Sequence, residues 1–216
     1  MSVPAIQGRP PGARVPLALL ALVTPVLLLT LAYCRAGRLN WLLEVAPALL
    51  GYVALAATYR RMRLSNFCYV AVFLHTLVLV YGAYYTYAET PLGNWAKQAF
   101  HLSRNHYDRV GHLALGFFPV CTIKEVLLRA TPLRRGGWLT FIVLSIVMAI
   151  AAGYELCEWA STYVFAADVG QAFLGSQGDP WDAQWDMLLG LVGGAIGFFT
   201  LAPLHDRSMS RVVAAP

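Results

Sequence analysis

The sequence predicts an all-α protein: a polytopic transmembrane helical bundle of six spans, with an amphipathic interfacial helix between spans three and four. Three observations lead there. Hydrophobic residues make up 58% of the 216-residue chain and charged residues only 12%, about half the charged share of an ordinary soluble domain. Uncharged runs recur near the roughly 20 helical residues that a bilayer core of about 30 Å requires. No stretch alternates apolar and polar residues at period two, which argues against a transmembrane β-barrel.

The spans follow in order. The run Val15–Cys34 comes after Arg9 and Arg14 and has the outline of a signal peptide. It is long for a signal's apolar region and five more spans follow, so it reads as an uncleaved first helix. Tyr33 stands where a lipidated Cys34 would want a small residue. The second span, 40–59, carries only Glu44, and the third, 64–88, is uncharged. The fourth, 108–128, is the weakest: Lys124 and Glu125 fall near its end and Pro119 is expected to kink it. Spans 138–160 and 183–204 complete a single integral membrane domain, 1–216. Cys34, Cys68, Cys121 and Cys157 form no C-x-x-C pair. They read as packing residues rather than a disulfide framework or zinc site.

Between spans three and four, Leu92, Trp95, Ala99 and Leu102 recur at helical spacing, widened by Ala96 and Phe100. Lys97, Gln98, His101 and Arg104 take the other side, the pattern of a helix lying in the interface. Tyr81, Tyr84, Tyr85 and Tyr87 lead into it as an aromatic belt.

Six spans put both termini on one side. On that side fall Arg9, Arg14, Arg60, Arg61, Arg63, Lys124, Arg129, Arg134, Arg135, Arg207 and Arg211. Opposite lie Arg35, Arg38, Lys97, Arg104 and Arg109, so eleven basic residues face five and the termini are expected in the cytoplasm. The net charge of +5 is thereby a topology signal that needs no nucleic acid, and it implies attraction of the inner face to anionic membrane lipids.

The acids gather at the other side. GDPWDAQWD, residues 178–186, sets Asp179 as an expected N-cap, Pro180 in the first turn and Asp182 at the third position. Asp186 lies one turn deeper, on the face of Asp182, where capping no longer accounts for it. Glu155 and Glu158 share a face near the end of the fifth span, and Asp108 and His112 share one at the start of the fourth. Glu44 reaches a similar depth in the second. Ionisable groups in a span cost a few kcal/mol and imply a cavity or a partner.

Carboxylates with an imidazole suit a divalent metal, oxygen ligands favouring Mg or Mn and the imidazole admitting Zn or Fe. A remaining acid then serves as base to metal-bound water. His75, deep in the third span, reads as a structural histidine ahead of a relay. In the sixth span, Gly190, Gly193, Gly194 and Gly197 fit close packing against the small run Ala149–Gly153 of the fifth. A homodimer seam through Gly190, Gly194 and Gly197 is the alternative.

At NHYDRVGHLALGF, GYELCEWA and GDPWDAQWDMLLGLVGGAIG the chain resembles the YjdF family of small bacterial inner-membrane proteins. More distantly, its D-x-x-x-H and D-x-x-x-D helix starts look like those of VanZ-like membrane proteins. The YjdF resemblance implies that Asn105, Tyr107, Asp108, His112, Glu155, Glu158, Asp179, Asp182 and Asp186 belong to one shared site, without naming its chemistry. It also implies the bacterial inner membrane as location.

The leading functional expectation is a metal-dependent enzyme acting on a lipid or lipid-linked substrate in the outer half of the bilayer. His112, Glu158, Asp182 and Asp186 are the expected metal ligands. Glu155 or Asp108 is the expected base, and Arg109 holds an anionic group. An ion-coupled transporter and a structural or partner-binding membrane protein are the alternatives.

Overall fold

The structure is a computed structural model that describes residues 12–213. Arg9, counted above among the basic residues, lies outside the described residues. Within them the chain is helical and without strands: α1 (Arg14–Tyr33), α2 (Arg38–Thr58), α3 (Asn66–Tyr85), α4 (Pro91–Ala99), α5 (Tyr107–Phe117), α6 (Val120–Ala130), α7 (Gly137–Val164), α8 (Ala167–Leu174), α9 (Asp182–Thr200) and α10 (Ala202–Val213). Four of these, α1, α2, α3 and α7, are each long and apolar enough to cross a membrane, and α9 with α10 makes a fifth candidate if the bent pair is one span.

The two remaining expectations meet breaks. The expected fourth span is two short helices, because Pro119 has no N–H to give the Leu115 carbonyl and α6 restarts after it. The expected sixth span turns by 65° after Thr200. Pro203 and the polar run His205–Ser208 make α10 a separate amphipathic helix. The third span ends at Tyr85, three residues early, where Thr86 takes a positive φ of 66°. Helix α8, in the connection between α7 and α9, was not anticipated.

Packing follows the small residues. A side chain at Gly193 would strike the Leu113 carbonyl, and one at Gly116 would strike the Gly190 carbonyl. Helices α5 and α9 therefore touch backbone to backbone, as small residues allow. Gly190 and Gly194 instead meet Ala151 and Val147 of α7. The expected partner, α7, thus takes only half of the glycine face and α5 the rest. All four glycines of α9 are buried within the bundle, against helices of the same chain.

Two apolar clusters stand one above the other. Trp41, Val45, Leu79, Ala83, Tyr87 and Tyr107 pack near the acidic end. Leu64, Cys68, Val120, Cys121, Leu139 and Val143 pack near the opposite end. Around them Leu22, Leu28, Leu50, Phe141, Ile150 and Phe199 point outward exposed, the apolar exterior that a bilayer covers.

Candidate functional site

The site starts at residues 104–108, which tie four segments together. The Asn105 amide donates to the Thr90 carbonyl at 3.1 Å and to Asn94 at 3.0 Å, while its oxygen accepts the Tyr107 N–H at 3.0 Å. Gln177 brackets the Asn105 backbone, accepting its N–H at 3.1 Å and donating to its carbonyl at 2.8 Å. Gly93 lies against this amide, where any side chain would overlap it. The Tyr107 hydroxyl then donates to the Val78 carbonyl at 2.9 Å, locking α5 to α3. The start of α5 is fixed, and with it the direction of Asp108 and His112 one turn on.

Asp108, His112, Glu155, Glu158, Asp182 and Asp186 are all buried. They form three overlapping groups, each with ligand atoms within 4.8 Å of one another: Asp108–His112–Glu158, His112–Glu155–Asp186, and Asp108–Asp182–Asp186. The predicted metal ligands His112, Glu158, Asp182 and Asp186 and both predicted bases therefore occupy one nest, built by α5, α7 and α9. His112 Nε2 lies 3.2 Å from Glu155 Oε1 and 3.7 Å from Asp108 Oδ1. Neither Glu155 Oε1 nor Asp186 Oδ1 has an aligned hydrogen bond among the described residues. Acidic groups brought this close call for a shared proton or a cation.

Two arginines border the nest. Arg104, expected on the polar face of the interfacial helix, is buried and pairs directly with Asp182. It also donates to the Ser176 carbonyl at 3.0 Å and the Gly175 carbonyl at 3.2 Å, drawing the α8–α9 loop over the acids. The chain leaves α4 at Phe100 and turns through a positive φ at His101, which swings Arg104 away from the α4 face.

Arg109 donates to Asp179 at 2.6 Å and sits 5.7 Å from the Trp185 ring. It is thus paired rather than free for an incoming anion. Asp179 accepts the Trp181 N–H at 3.0 Å, but a tight turn intervenes and α9 begins at Asp182, not at Pro180. Burial, reinforced by Arg109 and Arg104, pulls the His106 pKa below its ordinary value.

Three residues extend the site inward. Glu44 is buried and accepts a hydrogen bond from the Tyr154 hydroxyl at 3.3 Å. His75 lines a cavity of about 20 Å³ together with Pro47, Tyr87, Asp108, His112 and Tyr154. That is room for about one water. Among the described residues, His75 Nε2 and His112 Nδ1 both lack hydrogen-bond partners. The sequence offered His75 as a lone structural histidine; the fold sets it on the same small cavity as Asp108 and His112.

The chain matches the family described as "Predicted membrane protein (DUF2238)" over residues 16–207. It is similar to the inner membrane protein YjdF of Escherichia coli (strain K12), with 38% identity over 197 residues, 89% of this chain and 94% of that protein. No solved structure matches it. The matched region spans every helix that supplies the acidic nest, and the chain belongs to the DUF2238 family of membrane proteins.

Proposed function

We propose that this protein is a multi-pass inner-membrane enzyme that uses a divalent metal to act on a lipid or lipid-linked substrate in the outer half of the bilayer. The location is that named for its YjdF relative. In this reading the chain crosses six times, through α1, α2, α3, α5 with α6, α7 and α9, with both termini cytoplasmic. Eleven basic residues on the terminal side against five opposite support that orientation. Helix α4, with Leu92, Trp95 and Phe100 exposed, lies along the outer interface beside the site.

The observation that carries the chemistry is the nest itself: five carboxylates and an imidazole, all buried, with ligand atoms within reach of one another. His112, Asp186, Asp182 and Glu158 would hold the metal, with Asp108, shared by two of the groups, beside them. Glu155, whose Oε1 is unpartnered, is the base that takes a proton from a nucleophilic water. A divalent metal held there would acidify a nearby water and offset negative charge on the substrate. Arg109 meets an anionic headgroup only by exchanging Asp179 for it.

The test is elemental analysis of the detergent-solubilised protein, purified without a chelating tag, beside Asp186→Asn and Glu158→Gln. The expected result is Mn, Zn or Fe that the parent carries near-stoichiometrically and both folded variants lack, over and above any metal common to all three. Equal metal in all three, or loss of thermal stability alone, sinks the reading. A second reading, an ion-coupled transporter, is favoured by the His75 cavity, which carries polarity inward from the nest. Cation flux in proteoliposomes that His75→Phe abolishes selects it.

A further inference from the structure

At the end of the molecule opposite the acidic nest, three helices bring together a different set of side chains. Cys68 comes from α3, Glu125 from α6 and His205 from α10. All three are fully buried. Cys68 Sγ lies 3.3 Å from Glu125 Oε2, His205 Nε2 lies 3.1 Å from the same oxygen, and sulfur and nitrogen are 3.7 Å apart. Tetrahedral zinc with ordinary bond lengths sets such atoms roughly 3.4 to 3.6 Å apart. The triangle is therefore already close to that of three ligands around one ion.

The surroundings match a ligand set in two further respects. The other carboxylate oxygen, Oε1, is held by the Ser65 N–H at 2.8 Å and by Arg129 at 2.6 Å, so Oε2 faces the thiol and imidazole in a fixed direction. Among the described residues His205 Nδ1 is buried without a hydrogen-bond partner, and Asp206 Oδ1 lies 3.9 Å from it. A neutral ring that donates through Nε2 turns a bare lone pair toward that carboxylate. A ring that binds a metal through Nε2 carries its proton on Nδ1 and turns a donor toward Asp206, the usual outer partner of a metal-bound imidazole.

We propose that Cys68, Glu125 and His205 form a zinc site, distinct from the acidic nest, that staples α3, α6 and α10. Thiolate with imidazole selects zinc over the hard cations that an oxygen-rich nest favours. The assignment replaces the expectation that Cys68 is a packing residue, and it does not depend on the function proposed for the nest.

The test uses the intact chain, purified without a chelating tag, loaded with zinc or with cobalt(II). The cobalt form should show thiolate-to-metal charge-transfer absorption in the near ultraviolet, since Cys68 supplies the only sulfur in either cluster. The zinc form should lose about one equivalent in Cys68→Ala and keep it in the double variant Glu158→Gln, Asp186→Asn. Absence of the sulfur band from the unsubstituted chain overturns the site, whatever the variants do. Zinc that persists in Cys68→Ala, or that leaves only with the double variant, overturns it as well.

Discussion

Asn105 shows how much one side chain carries here. Its amide bonds Thr90 and Asn94, its oxygen takes the Tyr107 N–H, and its backbone is bracketed by Gln177. A net hydrogen bond contributes about 1 kcal/mol, and a buried group left unpaired costs about 1–3 kcal/mol. Asn105→Ala should therefore destabilise the protein by about 2–4 kcal/mol, read as a fall in detergent-solubilised melting temperature. Tyr107→Phe, which removes one hydrogen bond and leaves the Val78 carbonyl its helical partner, should cost about 1 kcal/mol by the same assay.

Arg104 makes the complementary case. Arg104→Gln frees Asp182 and releases the Ser176 and Gly175 carbonyls. It should loosen the α8–α9 loop, seen as faster proteolysis between residues 175 and 181. The acids were legible as pairs because i, i+3 and i, i+4 spacing fixes a shared face. Arg104 was not, because one positive φ at His101 takes it off the face its spacing implied.

At the scale of elements, the α5–α9 contact decides how the site holds. Gly193→Ala places a methyl against the Leu113 carbonyl, and Gly116→Ala places one against Gly190. Each pushes backbone against backbone, where neither side yields, so each should destabilise by at least the 1–3 kcal/mol typical of overpacking. Gly153→Ala, with open space around its added carbon, should be neutral or slightly stabilising. Thermal melts of the three variants side by side check the contrast. The glycine spacing announced a close crossing with α7, and it missed α5, whose own Gly116 admits the α9 backbone. Hydropathy found α1, α2, α3 and α7 directly. It merged α5 with α6 and ran α9 past Thr200, since averaging over a window passes across a proline.

For the whole molecule, the prediction concerns sidedness. Reporter fusions at residue 216 and in the 131–137 connection should both report cytoplasm, and a fusion within 175–181 should report the opposite side. The inner cluster of Cys68, Glu125 and His205 was out of reach of sequence reading: its members are 57 and 80 residues apart, and each alone resembles an ordinary core residue. Distance along the chain has a further consequence at the acidic nest. Glu155 and Glu158 are synthesised and inserted before Asp182 and Asp186 exist, and Arg104 waits 78 residues for its partner. Until α9 emerges from the ribosome, the groove between α5 and α7 stands open, with carboxylates on both walls. Biogenesis thus ends in a zipping step in which the glycine-faced helix α9 closes the bundle and finishes the pocket together. A chain truncated before residue 182 should remain an insertion intermediate, recognised by membrane quality-control proteases and short-lived in a pulse-chase experiment.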